Sequence, residues 1–546
     1  MSSYVCQRRF IGPTTALAVG VSIFFSAPEQ SCAAERAGTQ VTVWDGPGGD
    51  VAASRDYEVI VRSSGQSWRP FTYCSYNRPV DKLLDREGKY LKLGFLALHS
   101  NEYKRPEDNR DTYAHSWTHF DFAGGPVEVE VKIMRPLDGL TLPLKSCGIL
   151  PSTLGIKAAV VASDTIRFTL DRPAKIAIVP NHGEALKKLK TADPKQAFEG
   201  YRNPLFLFAR APEANIPNRN APGTLVIKPG QARGVKDLAK ARVIYFEPGV
   251  HDYSQFNPSD PEHYITLQTG QTMYLAGGAY VYGVVNFEKR GPISEMPLLC
   301  GRGTLSGIKQ RWTDVPYRTT LERNVRMEGI PIADPHNHIS HSYSPVKDIA
   351  VVGAWHGNTD GLTREVPKSE SYKGWHIEDC FVMAGDSNLK VGGPARVRNY
   401  TAWQLNNAEP FWIRNPDGCT VDGVQVIAYH NPAGRQTINI SRGTMKNSVF
   451  RNILIEAPFV PLLFLMPVSN SEGTPAYENV LFENVTVNTP YIAERSPFGA
   501  AEEGVQIGKV VFRNLVINGV KVTGQNCRDY FELLKGVTVG KEIVFE

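Results

Sequence analysis

Hydrophobic and polar residues alternate in short runs from about residue 40 to residue 180, and turn residues separate the runs. The clearest runs lie at 41–44, 57–61, 127–131, 165–170 and 175–179. A period of two between turn residues is typical of antiparallel strands that bury one face. We therefore expect a β-sandwich at 35–190, followed by a linker at 191–234 that is rich in Pro, Asn and Gly.

Beyond this linker the pattern changes to a series of short strands broken by Gly or Pro. An apolar motif with Arg or Glu before Asn recurs around Asn399, Asn452, Asn484 and Asn514, with the widest gap between the first two. Asn tolerates the left-handed backbone of a tight corner, and its amide can bind the same atom one turn later. The pattern favours an all-β fold with a right-handed parallel β-helix at 235–546, with a β-propeller or a second sandwich as alternatives.

The segment 1–34 has the composition of a cleaved secretory signal peptide. Arg8 and Arg9 precede an apolar run at 14–27, and the segment ends in the small residues Cys32-Ala33-Ala34. The alternative is a membrane anchor, but the run is shorter than the ~20 residues that a span needs. We expect a secreted or periplasmic protein that has no membrane partner after cleavage.

The remaining composition excludes several function classes. A formal net charge of +5 is small for 546 residues, so we expect no nucleic-acid partner. Six cysteines follow the signal segment without a C-x-x-C pair, which indicates neither a zinc site nor a dense disulfide framework. Cys380 and Cys419 could form one disulfide on nearby turns, or they could be buried free thiols. We expect a monomer.

Two isolated aspartates are the strongest chemical candidates. Asp360 lies in Asn358-Thr359-Asp360-Gly361, and Asp386 follows it in Gly385-Asp386-Ser387. Residues about one turn apart in a coil of strands come to lie on adjacent turns, so both side chains are expected to face one groove. Two carboxylates across a groove indicate hydrolysis of a glycosidic bond.

These two motifs, the Asn-tagged strands and the N-terminal sandwich together resemble glycoside hydrolase family 49, the dextranases and isopullulanase. Family 28, the polygalacturonases, shares the first motif and the β-helix. The resemblance implies inverting hydrolysis, in which Asp386 is the general acid and Asp360 is a base that holds the attacking water. The acid should have a raised pKa.

One position departs from both families. They carry a second Asp directly after the acid, where this chain has Ser387. A serine hydroxyl can orient water but does not take up a proton at neutral pH. Three interpretations follow: Asp360 works alone, the chain is an inactive relative, or another carboxylate substitutes, the candidates being Asp334, Glu409 and Asp417.

The substrate is expected to be a neutral α-glucan such as dextran, because the Gly-His-Gly and Arg-x-Lys sequences of polygalacturonases are missing. Lys390 and Arg414 leave a hydrolase or lyase of pectin or other acidic polysaccharides open, and Ser387 leaves open a protein that binds polysaccharide without cleaving it. Flat rings of Trp355, Trp375, Trp403 and Trp412 suit a sugar groove. The expected substrate contacts are Lys390, Trp355, His356, Asn358, Ser387 and Trp412.

Histidines at 336, 338 and 341 follow Asp334, and His-x-His on a strand directs two rings to one face. Histidines at the edge of a coil more often line a sugar subsite than hold a metal. We therefore expect no metal and no cofactor.

Overall fold

The structure is a computed structural model. It describes residues 38–76, 114–135, 142–183, 203–231, 235–254, 265–287, 289, 291–309, 322–335, 338–354, 359–405, 408–429, 436–440, 444–468, 476–500 and 505–546. The expected signal peptide and three expected substrate contacts, Trp355, His356 and Asn358, lie outside these residues. In the described part, no helix is long and apolar enough to cross a membrane.

Two facing sheets form the N-terminal β-sandwich. The strands are β1 Gln40–Thr42, β2 Tyr57–Ser63, β3 Gln66–Trp68, β4 Thr72–Tyr76, β5 Ala114–Ala123, β6 Val127–Ile133, β7 Cys147–Leu150, β8 Ala159–Ala162, β9 Thr165–Leu170, β10 Ala174–Pro180 and β11 Leu205–Arg210. One sheet has the order β1-β5-β11-β10-β7 with β4 on β5, and the other has the order β3-β2-β6-β9-β8. Buried and half-buried side chains alternate along β2 and β6, as the period of two predicts.

The predicted linker at 191–234 contains two strands, so the prediction is wrong for these segments. Strand β11 pairs with β5 and β10 and so completes the sandwich. All of its residues are buried, because its outer face packs on the second half of the chain. A strand buried on both faces shows no alternation, which is why its pattern gave no strand signal. Thr224–Ile227 is likewise a strand, the first of the β-helix.

The second half is a right-handed parallel β-helix, as predicted. Its strands are β12 Thr224–Ile227, β13 Val243–Phe246, β14 Gly249–Asp252, β15 Ile265–Thr266, β16 Thr272–Leu275, β17 Ala279–Tyr282, β18 Val285–Asn286, β19 Leu298–Gly301, β20 Thr304–Ser306, β21 Glu322–Arg323, β22 Arg326–Glu328, β23 Pro331–Ala333, β24 Ser340–His341, β25 Val346–Lys347, β26 Ala350–Val352, β27 Leu362–Glu365, β28 Ile377–Ala384, β29 Leu389–Gly393, β30 Arg396–Gln404, β31 Phe411–Pro416, β32 Thr420–Tyr429, β33 Gln436–Asn439, β34 Met445–Ile455, β35 Phe459–Val460, β36 Leu462–Val468, β37 Tyr477–Val487, β38 Tyr491–Ile492, β39 Ser496–Ala500, β40 Val510–Ile517, β41 Val520–Lys521, β42 Phe531–Leu533 and β43 Ile543–Phe545. One helical turn, Val235–Leu238, and three 3₁₀ turns, Ser152–Leu154, Ile293–Glu295 and Cys527–Asp529, complete the described elements.

Two sheets wind along this coil and enclose one continuous apolar core. Sheet I runs from β12 to β43, and sheet II has the order β15-β18-β21-β24-β27-β29-β31-β33-β36-β39-β42. Aromatic rings repeat at one register inside the coil: Phe450 stacks on Phe482 at 5.0 Å, and Phe482 on Phe512 at 5.1 Å, between ring centroids. Such stacking fixes the register of neighbouring coils, and the register positions every side chain of the site.

The tagged asparagines form the predicted ladder at a corner of the coil. Asn399, Asn452, Asn484 and Asn514 all have φ between 52° and 57°. Asn514 donates its amide to Asn484 at 3.0 Å, and Asn484 donates to Asn452 at 3.2 Å. The long gap between Asn399 and Asn452 contains a coil in which Gly423 (φ 81°) takes the corner position instead. The corner therefore requires a left-handed residue in every coil but not always Asn.

The sandwich packs against sheet I around a second apolar cluster. Phe206 of β11 contacts Phe381 of β28 at 5.1 Å and Trp403 of β30 at 5.0 Å, between ring centroids. Trp403 is fully buried there, so its expected place in a sugar groove is wrong. Cys380 and Cys419 are buried free thiols rather than a disulfide.

Candidate active site

Five residues from successive coils occupy one register position, two residues before an aligned buried position in the strands of sheet II. Leu362 pairs with Ser340 on one side and Leu389 on the other, and Leu389 pairs with Phe411, which pairs with Ile438. The residues two positions before these form a row that we call the site ladder: His338, Asp360, Ser387, Glu409 and Gln436. Backbone hydrogen bonds follow the same register, since Gly361 N donates to Ser387 O at 3.0 Å and Asn388 N donates to Glu409 O at 3.1 Å.

Asp360 and Asp386 lie on adjacent coils, as the motif spacing predicts. The backbone N–H groups of Gly385 and Asp386 both donate to the carbonyl of Thr359, at 3.1 and 3.0 Å. Asp386 therefore sits beside the residue that directly precedes Asp360. Gln404 donates its side-chain amide to the carbonyl of Asp386 at 2.8 Å and holds the other side of this turn.

A buried asparagine anchors the turn that carries Asp386 and Ser387. Asn388 points into the coil and donates its amide to the carbonyls of Val382 and Trp403, at 3.1 Å each. Tyr400 donates its hydroxyl to the Asn388 side-chain oxygen at 2.6 Å. These contacts join the turn to sheet I on the far side of the core, so the acidic turn is held rigidly from within.

Gly361 allows the two aspartate turns to approach each other. A Cβ at this position would lie only 2.0 Å from the carbonyl oxygen of Asn388. Any side chain at 361 would therefore push the Asp386 turn away from the Asp360 turn. Glycine is therefore required at position 361 for steric reasons, which the sequence pattern alone did not show.

Asp360 is 3% exposed and accepts several hydrogen bonds. Lys390 Nζ lies 2.8 Å from its Oδ2, and His341 Nε2 lies 2.9 Å from the same oxygen. Burial raises the pKa of Asp360, but the hydrogen bond from His341 and the charge of Lys390 outweigh this, and the pKa falls to about 2. Asp360 is thus a carboxylate at neutral pH. Its Oδ1 is buried and has no hydrogen-bond partner among the described residues.

Asp386 has the opposite electrostatic environment. Burial and the negative charge of Asp360 raise the pKa of Asp386 to about 7, although Lys390 and the N–H of Ser387 act against them. Ser387 N donates to Asp386 Oδ1 at 2.7 Å. Two neighbouring carboxyl groups with pKa values pushed apart suit an acid and a base at the same pH.

His338, His341 and Asp360 are the described residues that approach a metal-binding arrangement, with donor atoms within 4.8 Å of one another. The Asp360 N–H donates to His338 Nδ1 at 3.2 Å, and burial lowers the pKa of His338 to about 4, so this ring is neutral. The Lys390 ammonium shares the Asp360 oxygen and opposes a cation there. His341 therefore fits the task of holding the Asp360 carboxylate, and His338 that of holding the Asp360 backbone, better than that of holding an ion.

Dex49A from Penicillium minioluteum has the same fold. Its structure matches with a TM-score of 0.66 at 17% sequence identity, covering 93% of this chain and 100% of Dex49A. A family 28 exopolygalacturonase from Yersinia enterocolitica matches with a TM-score of only 0.27 at 11% identity, covering 93% of each chain. The sequence matches no protein-family model and no curated protein. The fold implied by the resemblance to family 49 is thus confirmed.

Ser387 and Lys390 lie beside the two aspartates, and Trp412 lies one coil further. The Lys390 ammonium is 5.0 Å from the centre of the Trp412 ring, and the Arg414 guanidinium is 4.9 Å from it. Trp412 Nε1 has no partner in the described part of the chain. Trp375 is elsewhere, against Arg396 and Arg398 of β30 in sheet I.

Of the three carboxylates that could substitute for the missing Asp, only Glu409 is at the site. Ser387 Oγ donates to Glu409 Oε1 at 2.8 Å. Asp334 instead accepts a hydrogen bond from Ser75 of the sandwich, and Asp417 pairs with Lys368 at 2.7 Å. The sequence named Glu409 as one of three candidates but gave no reason to prefer it. Asn388, Gln404 and Gln436 were not anticipated.

Proposed function

We propose that the protein is a glycoside hydrolase that cleaves a polysaccharide with inversion at the anomeric carbon. The observation that carries this proposal is the pair of adjacent carboxyl groups whose pKa values diverge, to about 7 for Asp386 and about 2 for Asp360. Near pH 6 the first is largely protonated and the second is ionised. These are the two protonation states that inverting hydrolysis requires.

Asp386 acts as the general acid in this mechanism. Its carboxylic proton passes to the glycosidic oxygen as the bond from the anomeric carbon to that oxygen breaks. Asp360 holds the attacking water on the opposite face of the sugar through Oδ1, while Lys390 and His341 fix its other oxygen. Asp360 also stabilises positive charge that develops on the sugar ring in the transition state.

A neutral α-glucan of the dextran type is the proposed substrate. Two cations near the site in the described part of the chain already have partners: Lys390 pairs with Asp360 at 2.8 Å, and Arg414 pairs with Glu365 at 2.7 Å. An acidic polysaccharide would have to compete with those carboxylates for each cation. Trp412 offers a half-buried ring for the apolar face of a pyranose, and its buried N–H has no hydrogen-bond partner among the described residues.

The test is hydrolysis by the purified protein of dextran, pullulan, pectin and sulfated algal glycans, with the anomer of the first product read by NMR. We expect cleavage of an α-glucan and release of the β-anomer. An α-anomer would contradict the inverting mechanism, and unsaturated uronate products would identify a lyase. Binding of a glycan without turnover would favour a carbohydrate-binding protein.

We further propose that the protein acts outside the cytoplasm as a monomer, with the segment 1–34 removed on export. The support is the basic start, the apolar run and the small-residue end of that segment. N-terminal sequencing of the protein recovered from the periplasm or medium should begin near Glu35. An N-terminus that retains Met1 would contradict this proposal.

A further inference from the structure

The site lacks an efficient general base for the attacking water if Asp360 acts alone. With a pKa near 2, the Asp360 carboxylate holds a proton weakly, and a general base works best when its pKa lies nearer the working pH. One of its oxygens is also committed to Lys390 and His341. Asp360 is suited to position a water and to stabilise positive charge, and a second carboxylate nearby would be the better acceptor for the proton of that water.

Glu409 is a second carboxylate at the same register, two coils from Asp360. It is 2% exposed, and no cation among the described residues pairs with it. Its Oε1 accepts the hydroxyl proton of Ser387 at 2.8 Å, and its Oε2 accepts the amide of Gln436 at 3.1 Å. Gln436 thus fixes the carboxylate from the far side without supplying a charge. Burying a carboxylate without a cation is costly, which makes Glu409 a candidate for a functional role.

Ser387 connects this carboxylate to the reaction site. Neighbouring parallel strands lie about 4.8 Å apart, so Glu409 is roughly 10 Å from Asp360 along the ladder, with Ser387 midway. That distance is too great for Glu409 to touch a water held on Asp360. A serine hydroxyl that donates its one proton to Glu409 still has lone pairs with which to accept a hydrogen bond from such a water.

We propose that Ser387 and Glu409 form a proton relay that completes the base of the hydrolytic reaction. As the water oxygen attacks the anomeric carbon, one water proton moves to Ser387 Oγ and the original hydroxyl proton of Ser387 moves to Glu409 Oε1. The electron pair of the glycosidic bond leaves with the departing oxygen, which takes the proton of Asp386. The products are a hemiacetal and an alcohol, and the enzyme is left with Glu409 protonated and Asp386 ionised. Exchange with solvent restores both.

The relay rests on the proposed hydrolase function and deepens it. It also explains how a serine serves at a position where a carboxylate would be the simpler base. Two consequences distinguish it from a purely structural role of these residues. Removing either member should lower kcat and spare KM, and a carboxylate placed at 387 should make Glu409 dispensable.

The experiment compares Glu409→Gln, Ser387→Ala and the double variant Ser387→Asp/Glu409→Gln with the parent on the glycan that the parent cleaves. We expect each single variant to lose about 100-fold or more in kcat, the size of a general-base contribution, with KM changed by less than about 3-fold. The double variant should recover to within about 10-fold of the parent, because Asp at 387 accepts the proton directly. Glu409→Gln keeps the shape and the Gln436 contact, so its thermal unfolding should match that of the parent.

Asp417→Asn is the matched control, since it removes a carboxylate that pairs with Lys368 away from the site; it should keep full activity. The relay is overturned if Glu409→Gln stays within about 3-fold of the parent while Asp386→Asn is inactive, or if folded Ser387→Asp/Glu409→Gln stays as inactive as Glu409→Gln. A parent that binds glycans and cleaves none would overturn the hydrolase function and the relay together. These results separate the two proposals.

Discussion

Lys390 on one coil donates to the Oδ2 atom of Asp360 on the preceding coil, at 2.8 Å. The same ammonium lowers the pKa of Asp386, which burial and Asp360 raise. One cation therefore helps to lower the pKa of Asp360 and limits how far the pKa of Asp386 is raised. Changing this single residue should alter both carboxyl groups in the same direction.

Lys390→Met should shift the alkaline limb of the pH–rate profile to higher pH. Without the ammonium, the negative charge of Asp360 acts on Asp386 unopposed, and the pKa of Asp386 rises above about 7. The initial-rate profile of kcat/KM measures this shift. Lys368→Met, which removes an exposed lysine paired with Asp417, should leave the limb in place. An alkaline limb that shifts to lower pH would show that Lys390 does not counteract the effect of the Asp360 charge on the pKa of Asp386.

Asp386→Asn should abolish turnover and keep sugar binding. The amide cannot protonate the leaving oxygen, so we expect a loss of about 10²- to 10⁴-fold in kcat. In the parent, activity should fall as pH rises through about 7, because the acid is then ionised. Isothermal titration with a non-hydrolysed oligosaccharide checks binding. Full activity of the Asn variant would remove Asp386 from the reaction.

The same substitution should stabilise the fold at alkaline pH. The folded pKa of Asp386 lies above its unfolded value of about 4, so the native state binds more protons between pH 4 and 7 and stability is lost as pH rises through that window. The loss is at most about 4 kcal/mol, since one pKa unit corresponds to about 1.4 kcal/mol. Urea unfolding of the parent and Asp386→Asn at pH 4 and pH 8 measures it. Equal differences at both pH values would contradict the raised pKa.

Gly361→Ala should separate the Asp360 turn from the Asp386 turn. Its Cβ would lie 2.0 Å from the Asn388 carbonyl oxygen, so one turn must move, and a displacement near 1 Å at the reacting groups costs about 100-fold in rate. The measurement is kcat on the cleaved glycan. Gly291→Ala meets its nearest atom at 3.5 Å and should be neutral. An unimpaired Gly361→Ala would mean that the turns tolerate a wider spacing.

Arg302 binds both oxygens of Asp121, at 2.9 and 3.0 Å, where the sandwich packs against the β-helix. The side chains are 7% and 3% exposed. Asp121→Ala would leave a buried guanidinium without its main partner and should cost about 3–5 kcal/mol of unfolding free energy. Glu483→Ala, at an exposed pair with Arg513, should cost under about 1 kcal/mol. Chemical denaturation compares the two variants.

The sequence predicted those features that follow from local repetition. The alternation along β2 and β6 and the left-handed asparagines at Asn484 and Asn514 each have a local cause, so their pattern is visible in the chain. Strand β11 was missed because burial on both faces removes alternation. Expected contacts Trp355, His356 and Asn358 lie outside the described residues.

The site ladder could not be derived from spacing. Its members stand at positions 338, 360, 387, 409 and 436, and the intervals between them are unequal, so no single period connects Asp360 with Ser387 and Glu409. Their common position follows from the pairing of the strands that come after them. Only the three-dimensional register distinguishes Glu409 from Asp334 and Asp417 as the carboxylate beside Ser387.

The unequal intervals in the site ladder have an evolutionary consequence. Each member is placed by the strand that follows it, so residues can be inserted or deleted between strands without displacing the side chains of the ladder. The connecting segments can therefore diversify while the ladder stays in place. Under the proposed hydrolase function, a lineage built on this coil can change which sugars bind before it changes the groups that cleave them.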